Sequence, residues 1–238
     1  EKPLDVKIGQ AIDGDMSTAD WRRTVNPGGK YMPGKPAWYM FDSCQSKSAA
    51  TVGVMCSAVF WSQNNGLQLQ NLTIANNLGD SVDAGNHQAV ALRSDGDKVQ
   101  INNVNILGRQ NTFFVTNSGV DNRLQNNRQT RTLVTDSYLE GDVDIVSGRG
   151  AVVFDKTDFR VVNSRTQQEG YVFAPATLSN VYYGFLATNS TFTAAGDGVA
   201  QLGRSLDVDG NTNGQVVIRD SVINEGFNSA KPWADAAV

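Results

Sequence analysis

The chain has 238 residues, of which 40% are hydrophobic and 18% charged, and this composition suits one large folded domain and excludes a disordered chain. Twenty Lys and Arg residues against 24 Asp and Glu give a formal net charge of −4, so we expect no nucleic-acid partner. One histidine and two cysteines are too few for a usual structural zinc site or a multi-histidine metal centre, so we expect neither a metal nor a cofactor.

The first predicted element is a long loop over residues 11 to 36, which is rich in glycine, proline and polar residues. The aromatic residues in and just after this loop have two interpretations. They could line a groove for a sugar or a lipid, or they could pack the loop against the rest of the protein, and packing is the favoured interpretation. The residues concerned are Trp21, Tyr31, Trp38 and Tyr39.

The two cysteines, Cys44 and Cys56, stand twelve positions apart. A loop of this length can close as a disulfide in an oxidising compartment, and two buried thiols are the alternative. No stretch of the chain approaches the ~20 apolar residues that a membrane-spanning helix needs.

Six segments of the chain share one pattern. An apolar residue is followed two positions later by a turn-former, mostly Asn or Asp, and three positions after that by a second apolar residue. The segments are LQNLTI (69–74), INNVNI (101–106), VTDSYL (134–139), FDKTDF (154–159), ATNSTF (187–192) and IRDSVI (218–223). Their first residues are separated by 32, 33, 20, 33 and 31 positions, which is too regular for unrelated strands.

Each segment is predicted to form a strand, a bend and a second strand, because β-branched and aromatic residues alternate with Thr, Asn, Ser and Asp. Strands that recur at this spacing without amphipathic helices exclude a doubly wound α/β fold, which needs helical crossovers. The sequence therefore predicts an all-β fold, a parallel β-helix of stacked coils, with a β-sandwich as the competing fold. The predicted bend residues are Asn71, Asn103, Asp136, Asn189 and Asp220.

Long loops usually build the functional site of a solenoid, and here they are predicted over residues 11 to 36, 76 to 98, 115 to 131 and 165 to 183. The residues that could do chemistry lie at the edges of the coils. They are Gln88 in QAVALR, Gln110 and Asn111 in GRQNTFF, Asp144 in EGDVDIVSG, and Arg204 in QLGRS. His87, next to Gln88, is expected to be an ordinary residue of a surface loop.

These motifs resemble, in their order, those of the pectin methylesterases. That family has QAVALR, then Gly-x-Gln-Asp-Thr, then Gly-x-Val-Asp-Phe-Ile-Phe-Gly, then Leu-Gly-Arg. The resemblance runs from about Leu67 to Arg204. It implies a right-handed parallel β-helix and an aspartyl esterase, and this fold agrees with the one that the repeats predict independently.

The long insertions and the segments GRQNTFF and EGDVDIVSGRGAVVF are similar to a bacterial branch of this family, outer-membrane lipoproteins described as proposed acyl-CoA thioester hydrolases. By this resemblance, residues 1–238 form a single β-helix domain, an internal portion that lacks the N-terminal coils and the C-terminal end. The implied location is the bacterial cell envelope, either the periplasm or the outer membrane, with membrane attachment through a lipid anchor outside this chain. A monomer is expected.

Carried over position by position, the resemblance makes Asp144 the nucleophile, which attacks the carbonyl carbon and forms an acyl-enzyme. Arg204 orients this carboxylate and keeps it ionised, and an arginine within ~4–6 Å is expected to lower a carboxylate's pKa by about 1–3 units. Gln88 and Gln110 form the oxyanion hole with their side-chain N–H groups. The alternative is structural, with an ion pair and two hydrogen-bonded coil positions.

The chain departs from the family pattern at the general acid and base. Asn111 stands where the family has an aspartic acid, and an amide cannot exchange a proton at neutral pH. General acid–base catalysis is typically worth about 10²- to 10⁴-fold, so we expect little or no pectin methylesterase activity. Aromatic positions are also lost, because two Phe and a Pro-Trp pair of the family are replaced by Ile145, Ser147, Ser205 and Leu206.

The loss of the acid matters less for a thioester. A thiol has a pKa of about 8.5, so a thiolate can leave without being protonated. The sequence therefore favours a pectinesterase-like hydrolase whose partner is a small-molecule or saccharide ester or thioester, with an acyl-CoA thioester as the specific expectation. The alternative is a catalytically degenerate β-helix that binds saccharide or has a structural role in the envelope.

Overall fold

The structure, a computed structural model, describes residues 5–83, 85–163, 165, 170–198, 200–207 and 210–235. The helices in these residues are α1 (Thr18–Val25) and α2 (Trp38–Gln45), and Val54–Cys56 forms a 3₁₀ turn. The strands are β1 (Lys7–Gln10), β2 (Phe60–Ser62), β3 (Gln68–Asn76), β4 (Leu92–Ser94), β5 (Val99–Leu107), β6 (Phe113–Val115), β7 (Arg131–Thr135), β8 (Tyr138–Gly141), β9 (Val146–Gly148), β10 (Ala151–Asp155), β11 (Asp158–Val161), β12 (Gly170–Pro175), β13 (Phe185–Thr188), β14 (Thr191–Ala194), β15 (Ala200–Gly203), β16 (Val216–Arg219) and β17 (Val222–Ile223).

The strands form two parallel sheets. The larger sheet has 11 strands, with β16-β13-β10-β7-β5-β8-β11-β14-β17 along its main path, β3 paired with β5, and β1 paired with β3. The smaller sheet has six strands in the order β15-β12-β9-β6-β4-β2. Because neighbours in both sheets come from successive turns of the chain, each coil stacks on the coil before it.

The six repeated segments stack in register. Their first apolar residues pair in one column that runs from Leu69 to Ile218, and their second apolar residues pair in a column from Ile74 to Ile223. The predicted all-β fold class and the parallel β-helix are therefore confirmed. The β-sandwich alternative is wrong, because the sheets pair coil to coil in parallel.

Every one of the six bends has left-handed backbone geometry. The five predicted bend residues, Asn71, Asn103, Asp136, Asn189 and Asp220, have φ values between 49° and 57°. Asn and Asp reach this region more readily than other residues with a side chain, which explains the repeat. Lys156 is the exception, with φ 50°. The Asn103 side-chain amide donates to Asn71 Oδ1 at 2.8 Å, so part of the bend column is a hydrogen-bonded ladder.

The core is a column of aromatic and aliphatic side chains between the two sheets. Phe159 and Phe192 stack with their ring centres 4.8 Å apart, and Phe154 and Phe173 pack around them edge-on or tilted. Full burial of each such ring stabilises the fold by about 1.5–3 kcal/mol. The stacked rings tie together the coils that carry the smaller sheet, where the candidate site lies.

The predicted loop over residues 11 to 36 contains a helix, and a second helix follows it. Helix α1 begins at Ser17, whose hydroxyl accepts from the Asp20 backbone N–H at 3.1 Å, and this N-cap signal was overlooked in the sequence. Helix α2 brings Phe41 against the aromatic residues, with ring-centre distances of 5.3 Å to Trp21, 5.5 Å to Tyr31 and 5.8 Å to Trp38. The packing interpretation is therefore confirmed for Trp21, which is buried, whereas Trp38 is partly buried and Tyr31 and Tyr39 remain exposed.

The cysteines form a disulfide, which decides between the two alternatives. Cys44 in α2 and Cys56 in the 3₁₀ turn are bonded across a sequence separation of 12. Closing a loop of about this length stabilises a fold by about 3 kcal/mol in the chain-entropy model. The bond joins α2 to the segment that leads into β2. None of the described helices has the length and apolar character needed to cross a membrane.

Candidate active site

Asn111 and Asp144 lie side by side on neighbouring coils of the six-stranded sheet. Each stands two residues before a strand, and the pairing of Phe113 with Val146 puts the two positions in register. The Asn111 backbone N–H donates to the Val143 carbonyl at 2.9 Å. Both residues have left-handed backbone, with φ 60° at Asn111 and 54° at Asp144. Asn and Asp reach this region more readily than other residues with a side chain, as they do at the bends of the repeat.

Arg204 reaches Asp144 from the end of β15. Its Nε donates to Oδ1 and its Nη2 to Oδ2, both at 2.8 Å, so the guanidinium binds the carboxylate through two parallel hydrogen bonds. The Asp144 side chain is 5% exposed and that of Arg204 is 24% exposed. This geometry fixes the carboxylate plane, while one part of the pair stays open to solvent.

The electrostatics of this pair differ from the sequence-based expectation. Burial raises the pKa of Asp144 above its ordinary value, and the hydrogen bonds and charge of Arg204 offset this rise only in part. Arg204 lowers the pKa of Asp144 as expected, but the larger effect of burial, which was not visible in the sequence, makes the net shift upward. Burial lowers the pKa of Arg204, but Asp144 outweighs it and the net shift is upward.

Tyr171 is a neighbour of the pair that sequence reasoning missed. It lies in β12, one coil beyond Asp144, where its carbonyl accepts from the Ile145 backbone N–H at 3.1 Å. The guanidinium carbon of Arg204 lies 4.5 Å from the centre of the Tyr171 ring. Arg204 is thus held between a carboxylate and an aromatic face, and no motif in the sequence marked Tyr171 for this role.

Asn111 is hydrogen-bonded to Ser147, one of the residues that replace a family Phe. Its side-chain amide donates to Ser147 Oγ at 2.9 Å, and both residues are buried. Neither an amide nor a hydroxyl titrates near neutral pH. The structure therefore offers no proton-exchanging side chain at this position, which agrees with the chemical consequence expected from the sequence.

The two glutamines lie next to each other on neighbouring coils. Gln88 and Gln110 form a parallel bridge, and the Ala89 backbone N–H donates to the Gln110 carbonyl at 2.9 Å. The Gln110 side-chain amide donates to Asn86 Oδ1. Gln88 packs directly over Gly14, where an added Cβ atom would lie 2.3 Å from Gln88 Oε1 and would force the Gln88 side chain to move.

His87 lies in a loop, as expected, but its side chain is only 18% exposed and is held by two aspartates. Its Nδ1 lies 2.8 Å from Asp13 Oδ2 and its Nε2 lies 3.1 Å from Asp83 Oδ1. Burial lowers the pKa of His87, but the hydrogen bonds and charges of these aspartates outweigh it and raise the pKa. Among the described residues, no group of three or more His, Cys, Asp or Glu side chains is placed to hold a metal ion.

A cleft of about 280 Å³ adjoins Arg204. It is lined by Ser205 and by Trp233, whose surface is 42% exposed. Trp233 forms a parallel bridge with Gly203, which places it beside the end of β15. An aromatic surface is therefore present next to Arg204, although the family's Pro-Trp pair is replaced by Ser205 and Leu206.

A comparison with models of known protein families identifies the family of this chain. The family model described as Pectinesterase matches residues 41–223. The chain belongs to the pectinesterase family. The matched stretch contains all five predicted site residues, and the resemblance stated from the motifs is confirmed.

Two curated relatives of this pectinesterase-family chain cover it completely. YbhC of Escherichia coli (strain K12), whose name describes a proposed acyl-CoA thioester hydrolase, is 83% identical over 238 residues, which make up 100% of this chain and 56% of YbhC. Pectinesterase B of Dickeya dadantii (strain 3937) is 48% identical over 250 residues, covering 100% of this chain and 58% of that protein. The chain therefore spans less than three fifths of the length of these relatives.

Solved structures agree with the fold. The crystal structure of E. coli YbhC matches with a TM-score of 0.98 at 83% identity and covers 100% of this chain and 60% of that chain. The structure of rice weevil pectin methyl esterase matches with a TM-score of 0.86 at 31% identity and covers 99% of this chain and 65% of that chain. The parallel β-helix is therefore the right-handed form found in pectin methylesterases.

Proposed function

We propose that the protein is an aspartyl hydrolase of carboxylic esters, and that thioesters are the substrates that its site fits best. The observation that carries the proposal is the buried carboxylate of Asp144, which Arg204 grips through two hydrogen bonds of 2.8 Å while itself lining an open cleft. Retention of this pair beside Gln88, Gln110 and Asn111 is what an acyl-transfer site requires.

Asp144 is the nucleophile in this proposal. Its carboxylate attacks the acyl carbon, a C–O bond forms, and the carbonyl π electrons move to the oxygen. Arg204 fixes the carboxylate through both oxygens, and each oxygen keeps a further lone pair for attack. Because burial raises the pKa of Asp144, its carboxylate is also more basic than an exposed one, which favours nucleophilic attack.

Gln110 and Gln88 supply the hydrogen bonds to the developing oxyanion. A primary amide carries two N–H donors, so Gln110 can keep its bond to Asn86 and direct the second hydrogen to substrate. Gln88 lies beside it on the next coil, backed by Gly14. Removal of one such donor typically costs about 10²- to 10³-fold in turnover.

The leaving group is where Asn111 decides the substrate class. When the tetrahedral intermediate collapses, the C–S bond of a thioester breaks and a thiolate leaves with its electron pair, without needing a proton. The product on the protein is a mixed anhydride between the acyl group and Asp144. Water then attacks the acyl carbon of this anhydride and loses one proton to the solvent, and the C–O bond to Asp144 breaks. This step releases a carboxylic acid and restores the Asp144 carboxylate, and the thiolate released earlier takes up a proton from the solvent. An alkoxide needs the proton that Asn111 cannot give.

A saccharide-binding protein without turnover is the second candidate function. Trp233 favours it, because an exposed indole beside a cleft is a suitable surface for stacking a sugar ring. The loss of an acid–base residue at Asn111 is also consistent with this function. This candidate needs no role for the raised pKa of Asp144.

We also propose a location in the bacterial cell envelope. The disulfide between Cys44 and Cys56 supports it, since such bonds persist in oxidising compartments such as the periplasm. The attachment to the outer membrane by a lipid and the monomeric state remain predictions from the resemblance.

Matched substrates test the proposed function. Acyl-N-acetylcysteamine thioesters and acyl-N-acetylethanolamine oxygen esters differ only in the leaving atom, and a series of acyl lengths is tested with the complete protein. We expect thioester turnover that disappears in Asp144→Ala. In Asn111→Asp, we expect oxygen-ester turnover to rise by about 10²-fold, because an acid is restored. Methyl-esterified pectin serves as a further oxygen ester.

The outcomes separate the candidates. If the wild type turned over neither class of ester but bound saccharides, the saccharide-binding function would replace the proposed hydrolase. Thioester turnover that survives Asp144→Ala would overturn the assignment of the nucleophile. An Asn111→Asp variant that gains nothing on the oxygen ester would show that the missing acid is not the reason for the substrate preference.

A further inference from the structure

A second buried ion pair lies two residues from the proposed nucleophile. Arg165 Nε donates to Asp142 Oδ2 at 2.8 Å, and the two side chains are 1% and 0% exposed. The other oxygen of Asp142 accepts from the Val143 backbone N–H at 2.7 Å, and its carbonyl accepts from the Tyr171 backbone N–H at 3.1 Å. Asp142 is therefore anchored to the same two coils that carry Asp144 and Tyr171.

A second nitrogen of Arg165 binds a loop from a different part of the chain. Its Nη1 donates to the Gly85 carbonyl at 3.0 Å and to the Asp83 carbonyl at 3.3 Å. These carbonyls lie about 80 positions earlier in the sequence. One guanidinium thus connects the coil edge that carries Asp144 with the loop that precedes Gln88.

This loop ends at the proposed oxyanion donors. Asn86, which directly follows Gly85, accepts from the Gln110 side-chain amide. Two residues later, Gln88 forms the bridge with Gln110. A contiguous set of contacts therefore runs from the strand edge that carries Asp144 through Asp142 and Arg165 to the side-chain amide of Gln110 and to the backbone of Gln88.

The pair is poorly explained by stability alone. Removing two charges from water costs several kcal/mol per ion, and apolar residues of similar volume are often at least as stabilising in such places. A buried arginine that spans two segments does, however, fix their relative position through directional hydrogen bonds. The role that best explains this pair is to fix the relative position of the two segments at the site.

We propose that Asp142 and Arg165 are positioning residues, which hold Asp83 and the residues from Gly85 to Gln88 so that the side-chain amides of Gln110 and Gln88 face the acyl carbonyl at Asp144. This inference rests on the proposed function. Neither residue contacts the reacting atoms; both act through Asn86 and the two glutamines. A displacement of such donors by about 1 Å is enough to lower turnover by about 10²-fold.

The chain offers a matched control in a third Arg–Asp pair. Arg93 Nε lies 3.0 Å from Asp95 Oδ2, and both side chains are 0% exposed. None of their described contacts is to the loop residues Gly85 to Gln88. Arg165→Lys and Arg93→Lys remove the same guanidinium geometry and keep the positive charge. The two variants are compared at equal fraction folded, checked by urea unfolding.

For Arg165→Lys, we expect kcat on the thioester to fall by about 10- to 100-fold with KM changed less than threefold, because donors to the oxyanion act in the transition state. Arg93→Lys should keep kcat per folded molecule within about twofold, since it touches none of the donors. In a Gln110→Ala background, the effect of Arg165→Lys should shrink to less than about threefold, because the two changes then affect the same donor.

The failures are distinguishable. If wild-type turnover does not depend on Asp144, the proposed function fails and this inference with it. If turnover depends on Asp144 but Arg165→Lys behaves like Arg93→Lys, only the positioning role is overturned. Full additivity of Arg165→Lys and Gln110→Ala would likewise show that Arg165 does not act through Gln110.

Discussion

Two Arg–Asp pairs on the six-stranded sheet differ in what surrounds them. Arg93 and Asp95 are completely buried, and Asp95 also accepts from Trp61 Nε1 at 2.6 Å and from the Ser118 backbone N–H at 2.8 Å. Asp144 is buried, but its partner Arg204 is 24% exposed and lines a cleft. The first pair is enclosed by protein donors, whereas the second has a partly exposed arginine at the edge of a cleft.

The arginines of the two pairs also differ in their electrostatics. Burial lowers the pKa of Arg93, and Asp95 offsets this only in part. For Arg204 the balance is reversed, since the effect of Asp144 exceeds that of burial and the pKa is raised. Burial therefore dominates the enclosed pair, whereas the partner dominates the open one. The two pairs therefore differ in access to solvent and in the balance between burial and charge.

The largest expected effect comes from removing the carboxylate charge in each pair. Asp144→Asn should lower kcat/KM by about 10⁴-fold, as removal of a nucleophile's function does. The loss of stability should be small, because the partly exposed Arg204 keeps access to solvent when its counter-charge is removed. Asp95→Asn should affect stability instead of activity. It should lower the free energy of unfolding by about 3–5 kcal/mol, because Arg93 is left buried without its counter-charge. Urea unfolding and thioester kinetics on the folded fraction measure both.

The comparison would collapse if the two variants behaved alike. Equal losses of stability with no loss of activity per folded molecule would make Asp144 a structural residue. A stable and active Asp95→Asn variant would show that the enclosed pair contributes little to the fold.

Much of the fold could be predicted from the sequence, because each repeat is marked by residues with a local conformational preference. Asn71 and Asn103 mark bends since Asn reaches left-handed backbone at low cost, and the alignment of six such positions fixes the register of the coils. Helix α1 was missed although Ser17 and Asp20 form a recognisable N-cap, because the surrounding Gly and Pro residues indicated a loop.

The site was predictable in its members and less so in its physics. The pairing of Asp144 with Arg204 followed from a motif resemblance, but the direction of the pKa shift of Asp144 depends on burial, which only the packed coils reveal. Tyr171 and Trp233 were missed for a related reason. Each reaches Arg204 or its cleft through the stacking of coils and the course of the chain after β17, and neither lies within a motif.

A second prediction uses the acid side of the pH profile to test how Arg204 acts. The attacking form is the Asp144 carboxylate, so activity should fall as the pH falls through the raised pKa of this group. Arg204 lowers that pKa, and its removal in Arg204→Gln should therefore move the acidic limb of kcat/KM to higher pH by about 1–3 units. An unchanged limb would mean that Arg204 orients the carboxylate without controlling its charge.

The smallest expected effect concerns the aromatic face behind Arg204. Tyr171→Phe keeps a ring 4.5 Å from the guanidinium carbon, so its kcat/KM should stay close to that of the wild type. Tyr171→Leu removes the ring face and should cost about 0.5–1 kcal/mol, or about two- to fivefold in kcat/KM, because Arg204 then loses a cation–π contact that limits its motion.

The enclosed pair of Arg93 and Asp95 offers the parallel change, since the Arg93 guanidinium carbon lies 4.1 Å from the Trp61 ring centre. Trp61→Leu should lower the free energy of unfolding and leave turnover by the folded protein nearly unchanged. If Tyr171→Leu lowered only stability, as Trp61→Leu is expected to do, the stacking on Arg204 would serve the fold and not the nucleophile.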